Sequence, residues 1–197
     1  MKFLFDLGGV FFDWDPEFFY KKIIKNSHER KYFLNNICND EWNIKQDSGR
    51  SVKDAEIEII AKFPKYKKEI KMYYSNHRKM IKGVFEESIN ALTILKKKGL
   101  KCYVLSNWSA ETFKGMCDEY DFLKLFDGLL ISGEEGIVKP NPTIFKLAIE
   151  RFNLEPNKCI FVDDKFENVN AAKNLGFKII HLIDPKNILY EIDKLNE

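Results

Sequence analysis

Carboxylate, hydroxyl and lysine side chains follow the short apolar runs of this sequence. Asp6 comes directly after the run Phe3–Phe5, and Gly8 and Gly9, which allow a ligand to approach the backbone closely, come soon after it. A carboxylate in this position is a candidate nucleophile or metal ligand. Three later apolar runs are followed by the other polar residues of interest, which are Ser106 with Asn107, Lys139, and Asp163 with Asp164.

These residue types suit a magnesium ion and a phosphoryl group. Magnesium takes hard oxygen ligands such as carboxylates. A lysine binds phosphate as a point charge, and a hydroxyl can donate to the phosphate oxygens. Phosphoryl transfer depends mainly on positioning and charge neutralisation, and this set of side chains supplies both. The set therefore predicts Mg2+-assisted chemistry on a phosphoryl group, provided that the fold brings its members together.

The pattern of strands and helices predicts how these residues are positioned. From about residue 85, strand-like runs at 101–105, 126–132, 158–162 and 178–182 alternate with helical stretches at 85–98, 109–120, 142–152 and up to 174, and a last helix runs from about 185 to the end. Such alternation is typical of a parallel, doubly wound α/β sheet of the Rossmann-like class. Because ligands bind at the carboxyl ends of parallel strands, the polar residues should gather along one edge.

A helical segment separates the first strand from the alternating region. Asp15-Pro16 predicts a helix start, and Ser51-x-x-Asp54 resembles a capping box for a later helix. Apolar residues recur at helical spacing up to about Met80, so we expect this stretch to be strand-free. The prediction is a core made of residues 1–14 and 83–197, with a helical bundle inserted at 15–82.

Composition narrows the classes of function. With 45% hydrophobic residues in a chain of 197, a sizeable core is expected, and a net charge of +2 without a basic stripe argues against a nucleic-acid surface. The four cysteines are widely spaced, which favours free thiols in a reducing compartment. Neither a signal peptide nor a membrane-spanning stretch is recognisable in the sequence. We therefore expect a cytoplasmic protein, monomeric or homodimeric, with a small-molecule partner.

The segments FDLGG, YVLSN, IVKPNPTIF and FVDDKFENVNAAKNLG resemble motifs one to four of the haloacid dehalogenase (HAD) superfamily. They occur in order, at the right separations, and cover nearly the whole chain. The inserted bundle is similar to the C1-type cap of subfamily I. The resemblance implies an HAD-like core with a helical cap, and a Mg2+-dependent phosphatase that removes phosphate from a small phosphorylated metabolite through an aspartyl-phosphate.

The resemblance also implies a role for each matching residue. Asp6 is the implied nucleophile, Ser106 hydrogen-bonds the phosphoryl group, and Lys139 neutralises both. The implied metal ligands are Asp6, the carbonyl of Gly8, and Asp164, with Asp163 in support. The implied phosphate site comprises Gly8, Gly9, Ser106, Asn107 and Lys139, and the residues expected to order the neighbouring loops are Asn107 and Asn168.

One position departs from the family pattern. The first motif is usually D-x-D, and its second Asp protonates the leaving group, but here that position is Gly8. Loss of a general acid costs roughly 10²–10⁴-fold in rate. Three explanations stay open: a substrate with a good leaving group, another acid such as Asp13, Asp15 or a cap residue, or a catalytically weak protein with a binding or regulatory role.

A narrower resemblance favours the first two explanations. The D-L-G-x-V form of the first motif and the cap segment around Glu41–Gly49 are similar to a branch that includes phosphatases of the α-D-glucose-1-phosphatase type, which keep the glycine and are active. A sugar phosphate is therefore the expected substrate. Mutase chemistry is disfavoured because it relies on the missing Asp. A dinucleotide-binding protein is disfavoured because the spacing G-x-G-x-x-G is absent.

Several aromatic and polar residues have two interpretations. Trp42 and Asp47 are candidates to contact a sugar from the cap, and for Trp42 the alternative is packing in the bundle core. Trp14 and Trp108 either wall the pocket or pack between cap and core. The three histidines, His28, His77 and His181, show no metal-ligand spacing and are expected to be structural or on the surface.

Overall fold

The computed structural model describes residues 1–195. The end of the predicted last helix, at residues 196 and 197, lies outside the described residues. Among residues 1–195, no helix is both long enough and apolar enough to cross a bilayer.

In the described part of the chain, seven strands form two sheets. They are β1 (Lys2–Phe5), β2 (Phe12–Trp14), β3 (Ile81–Val84), β4 (Lys101–Ser106), β5 (Gly128–Ile131), β6 (Cys159–Asp163) and β7 (Lys178–His181). Five of them make a parallel sheet in the order β5-β4-β1-β6-β7. In the central strand, Phe5 pairs with Val104 on one side and Val162 on the other, so the carboxyl ends of three strands are level. The predicted parallel α/β fold is confirmed.

Helices cover both faces of the parallel sheet. The α-helices are α1 (Pro16–Ile23), α2 (Ser27–Asn36), α3 (Asp40–Asp47), α4 (Val52–Lys62), α5 (Lys67–Ser75), α6 (Glu86–Lys97), α7 (Ala110–Phe113), α8 (Met116–Glu119), α9 (Ser132–Glu135), α10 (Pro142–Arg151), α11 (Phe166–Asn174) and α12 (Ile188–Lys194). Phe3 and Phe5 face the layer that contains α6 and α12, whereas Leu4 faces α10 and α11. Alternate side chains of β1 are therefore buried on opposite faces, which explains its uninterrupted apolar sequence.

The helices α1 to α5 form a bundle with its own core. Tyr20, Phe33, Trp42, Ile70 and Tyr73 are buried together there, separately from the two layers on the sheet. Side-chain caps start these helices: Asp15 accepts from Glu17 N–H, and Ser51 accepts from Asp54 N–H, as the sequence predicted.

The second sheet was not predicted. β2 and β3 pair antiparallel, with Asp13 opposite Gly83, and form a two-stranded ribbon that carries the chain out to the bundle and back. The predicted helix over 109–120 is also wrong as a single element, because Gly115 takes φ +84° between α7 and α8. The predicted strand over 126–132 is shorter, since β5 covers only Gly128–Ile131 and Ser132 already begins α9.

Candidate active site

Asp6 lies immediately after β1 and is 6% exposed. Its Oδ1 atom accepts from the N–H of Leu7 at 2.7 Å and from Ser106 Oγ at 2.7 Å, and it lies 3.1 Å from Lys139 Nζ. Within residues 1–195, no protein donor is bonded to Oδ2. The carboxylate is thus held through one oxygen, and the other is available to a ligand.

Lys139 lies between two carboxylates in the interior. Its Nζ is 2.6 Å from Asp163 Oδ2 as well as 3.1 Å from Asp6 Oδ1, and its side chain is fully buried. Asn107 fixes the lysine at its backbone: its side-chain amide donates to Lys139 O at 2.9 Å, and its Oδ1 accepts from Lys139 N–H at 2.8 Å. Both polar ends of the Asn107 side chain are therefore engaged by the lysine backbone.

Asp163 is held by protein donors on both of its oxygens. Besides Lys139, they accept from the N–H of Lys165 at 2.9 Å and from Asn168 Nδ2 at 3.0 and 3.1 Å. Asn168 comes from the first turns of α11, so it ties that helix to the end of β6. These bonds hold the Asp163 carboxylate against the Lys139 ammonium.

Asp164 lies beside the turn that contains Gly9. A Cβ atom at Gly9 would lie 2.5 Å from the carboxyl carbon of Asp164, and Gly9 has φ +68°, so only glycine fits there. Its N–H donates to Phe12 O at 3.0 Å. Gly9, predicted to be part of the phosphate site, thus contributes clearance for Asp164, while its amide is already bonded. Gly8 differs, because a Cβ atom there would meet nothing within 4 Å.

One carboxylate oxygen each from Asp6, Asp163 and Asp164 lies within 4.8 Å of the others. Burial raises the pKa of Asp6 against the opposing effect of Lys139, and burial together with Asp6 and Asp163 raises the pKa of Asp164 to about 7. Burial disfavours the charged form of Lys139, but Asp163 and Asp6 outweigh it and raise the lysine pKa. Crowded, desolvated carboxylates of this kind suit a hard divalent cation, so the residues present fit Mg2+.

A cavity of about 280 Å³ opens from these residues toward the bundle. The bundle side and the ribbon contribute Trp14, Asp40, Asn43, Asp47 and His77 to its wall. The core side, in addition to the carboxylates, contributes Gly8, Gly9, Asn107, Trp108, Lys165 and Asn168.

The structure separates the residues with two interpretations. Trp14 and Trp108 line the cavity, and Trp108 also packs against Phe12 and Phe113. Trp42 does not reach it: its ring packs in the bundle core against Tyr73 and Tyr74, which corrects the suggested sugar contact. Asp47 is buried in the cavity wall.

Asp13 and Asp15, suggested as replacement acids, lie outside the cavity lining formed by residues 1–195. Asp13 is 3.3 Å from Lys82 in the ribbon, and Asp15 caps α1. Both residues therefore have structural partners of their own.

The sequence did not predict that three further residues, His77, Asn43 and His181, lie at or near the site. His77, expected to be structural or on the surface, is buried in the cavity wall beside Trp14 and Trp108, and burial lowers its pKa to about 3, so it is neutral. Asn43 lines the cavity next to Asp47, and His181 Nε2 bonds the carbonyl of Asp164 at 2.9 Å. All three depend on long-range packing, and nothing in their local sequence indicates it.

Comparison with known proteins identifies the family. A family model described as haloacid dehalogenase-like hydrolase matches residues 3–176. A sesquiterpene phosphatase of Aspergillus oryzae is 26% identical across 98% of this chain and 94% of its own length. A phosphorylated carbohydrates phosphatase of Thermotoga maritima is 24% identical across 95% of this chain and 89% of its own length.

Other comparisons cover less of the relative or concern structures. Two mammalian proteins match about half of this chain at 32% and 35% identity, but the match covers only 20% and 10% of their length. The crystal structure of an HAD-family enzyme from Bacteroides thetaiotaomicron, in complex with magnesium and inorganic phosphate, superimposes with a TM-score of 0.68 at 26% identity, covering 91% of this chain and 92% of that one.

The parallel sheet and the carboxylate cluster at the ends of its strands agree with this family match. The chain belongs to the haloacid dehalogenase-like hydrolase family. The family predicted from the four motifs is confirmed. The phosphatase prediction agrees with the two relatives that are named phosphatases, and the magnesium prediction agrees with the structure that contains magnesium and phosphate.

Proposed function

We propose that this chain is a Mg2+-dependent phosphatase that hydrolyses a small sugar phosphate through an aspartyl-phosphate on Asp6. The observation that carries the proposal is the convergence of Ser106, Lys139 and the N–H of Leu7 on one oxygen of Asp6. Three donors on Oδ1 orient the carboxylate and leave Oδ2 available to attack phosphorus. Residues 15–82 act as the cap that closes the cavity over the substrate.

The residues of the site have separate roles in this mechanism. Oδ2 of Asp6 attacks phosphorus, the ester P–O bond breaks, and the leaving oxygen takes a proton. Lys139 and Ser106 stabilise the charge on the transferring group. A water molecule then attacks the phosphorus of the aspartyl-phosphate, which releases inorganic phosphate and restores Asp6.

Mg2+ would be held by Asp6, Asp164 and the carbonyl of Gly8, with Asp163 in support, and when bound it supplies charge neutralisation for the phosphoryl oxygens. Asp163 accepts protein donors on both oxygens, which suits a supporting position.

The cavity supports a polar, uncharged leaving group. Trp14 and Trp108 offer aromatic faces, Asn43 and Asp47 offer hydrogen-bonding groups, and Lys165 is the one cationic side chain lining it within residues 1–195. A sugar ring has both apolar faces and hydroxyl groups, so it matches such a wall. The relative from Thermotoga maritima, named for phosphorylated carbohydrates, supports the same substrate class.

The test is phosphate release from a panel of phosphate esters with Mg2+, for the wild type and for Asp6→Asn. We expect release from sugar phosphates, its loss on chelation of the metal, and no turnover by Asp6→Asn. Asp121→Asn, at an exposed carboxylate paired with Lys124, is the matched control and should retain activity. If the folded wild type releases no phosphate from any ester, the enzyme proposal is wrong and a binding role takes its place.

A further inference from the structure

The missing side chain at position 8 leaves a chemical requirement unmet. If the proposed phosphatase function holds, breaking the P–O ester bond of a sugar or alkyl phosphate leaves a strongly basic oxygen that needs a proton. Gly8 has no group to supply one, and the space beside it is open for at least 4 Å around a Cβ atom. A proton donor on another wall of the cavity would meet this requirement.

Four carboxyl groups line the cavity within residues 1–195: Asp6, Asp40, Asp47 and Asp164. Asp6 is the proposed nucleophile, and Asp164 belongs to the carboxylate cluster that fits the metal. Asp40 is exposed in the first turn of α3. Asp47, at the other end of α3, is 8% exposed and has neither of those duties.

Asp47 is held in place from both sides of the cavity. Tyr74 donates its hydroxyl to Asn43 Oδ1 at 2.8 Å, which orients Asn43 so that its Nδ2 donates to Asp47 Oδ2 at 3.0 Å. From the core, Ser132 Oγ donates to the backbone carbonyl of Asp47 at 2.5 Å. A side chain that is oriented by Asn43, on a backbone that is tied to the core, can be positioned against a bound ester.

The charges around Asp47 keep both of its protonation states accessible. Burial above all, with smaller contributions from Asp6 and Asp40, raises the pKa of Asp47 to about 7 against the opposing effects of Lys165 and the backbone N–H of Ser109. The phenols of Tyr73 and Tyr74 also lie near it, and burial keeps them protonated, while His77 in the same cavity wall is neutral because burial lowers its pKa to about 3. Asp164 lines the cavity as well. A carboxyl with a pKa close to the working pH is well suited to proton transfer.

We propose that Asp47 is the general acid of this enzyme, acting from the bundle in place of the carboxyl that position 8 lacks. As the P–O bond breaks, its electron pair remains on the leaving oxygen, and the Asp47 proton transfers to that oxygen. The resulting Asp47 carboxylate then accepts a proton from the water that attacks the aspartyl-phosphate, which restores the acid for the next cycle.

The first test compares Asp47→Asn with the wild type on two ester classes. Alkyl and sugar 6-phosphates need protonation of the leaving oxygen, whereas p-nitrophenyl phosphate does not. We expect kcat/KM for the alkyl esters to fall by roughly 10²–10⁴-fold, and that for p-nitrophenyl phosphate to fall far less. Asp13→Asn, at the ribbon carboxylate paired with Lys82, is the matched control and should leave the ratio between the two classes unchanged.

A second test adds Gly8→Asp to Asp47→Asn. Because the space beside Gly8 is open, the new carboxyl can be accommodated, and we expect it to restore a large part of the alkyl-ester activity. Equal losses for both ester classes in Asp47→Asn, or no loss for either, would overturn the assignment.

A third test uses only the wild type, so it does not depend on how the variants fold. The acid form of Asp47 disappears as the pH rises through about 7. Alkyl-ester turnover should therefore depend more steeply on leaving-group pKa at pH 8 than at pH 6. An identical dependence at both pH values contradicts the assignment, whereas absence of phosphate release from every ester contradicts the phosphatase proposal itself.

Discussion

The two glycines that follow Asp6 have opposite steric surroundings. At Gly9, a methyl group would lie 2.5 Å from the Asp164 carboxyl carbon, and the backbone has φ +68°. Gly9→Ala should cost about 1–3 kcal/mol of unfolding free energy through strain and overpacking, and should weaken Mg2+ binding by displacing Asp164. Urea unfolding with and without Mg2+ measures both effects.

Gly8→Ala is the matched control for that experiment. Its added methyl group meets nothing within 4 Å, and its backbone angle is ordinary, so its stability should stay within about 0.5 kcal/mol of the wild type. Equal destabilisation by both variants would mean that the contact with Asp164 is not what restricts position 9.

Lys139 compensates two buried carboxylates at once. Lys139→Met removes the ammonium and leaves Asp6 and Asp163 unpaired in the interior. Breaking a buried ion pair from one side costs about 3–5 kcal/mol, so we expect a loss of this size in urea unfolding, together with loss of phosphatase activity. Lys146→Met, at an exposed position of α10, should be close to neutral, and a small effect at Lys139 would contradict the proposed compensation.

At the scale of elements, one hydroxyl joins the bundle to the core. Ser132 Oγ accepts from Trp108 N–H at 3.0 Å and donates to the carbonyl of Asp47. Ser132→Ala leaves both buried backbone groups without this partner, which should cost about 1–3 kcal/mol of stability. Thermal or urea unfolding measures the loss, and Ser48→Ala, whose hydroxyl bonds a surface carbonyl, is the control expected to stay near the wild type.

Elements with a local sequence pattern could be predicted, whereas elements formed by pairing between distant parts of the chain could not. β1 and β6 were predictable because a strand buried on both faces has a continuous apolar sequence. β2 and β3 were not, since each has only three or four residues and is formed by pairing across the whole insertion. The prediction of one helix over 109–120 was wrong because Gly115, whose backbone is left-handed, separates α7 from α8.

The same distinction applies to the site. Asp6, Ser106 and Asp163 were predicted to lie together because each is at the end of a strand, and Lys139 because it lies in the loop region after β5. Parallel topology brings all four to one edge. Asn43 and His77 depend on how the bundle packs over that edge, and a single sequence carries no pattern for such packing. Asp47 was recognised only as a candidate sugar contact from the cap, because its burial comes from contacts with Asn43, Ser109 and Ser132.

For the whole molecule, the clustered carboxylates predict that the metal stabilises the fold. A ligand that binds only the folded state at 100 times its Kd adds about 2.7 kcal/mol, which corresponds to roughly 5–10 °C in Tm for a chain of this size. We expect such a rise with Mg2+ in scanning calorimetry, its reversal by a chelator, and its loss in Asp164→Asn. An unchanged Tm at saturating Mg2+ would contradict the assignment of the cluster as a metal site.

The chain enters and leaves the bundle through the two paired strands of the antiparallel ribbon. β2 leads out of the core and β3 leads back, with Asp13 directly opposite Gly83. Partners in such a ribbon are about 5 Å apart, so any segment whose ends meet at that distance can be joined there without disturbing the parallel sheet. We therefore expect that the bundle can be replaced as a unit. A chimera that carries the bundle of another family member should keep Asp6, Ser106 and Lys139 of this core and acquire the substrate range of the donor. Because Asp47 leaves with the original bundle, turnover of alkyl esters should then require an acid from the new bundle or from Gly8→Asp.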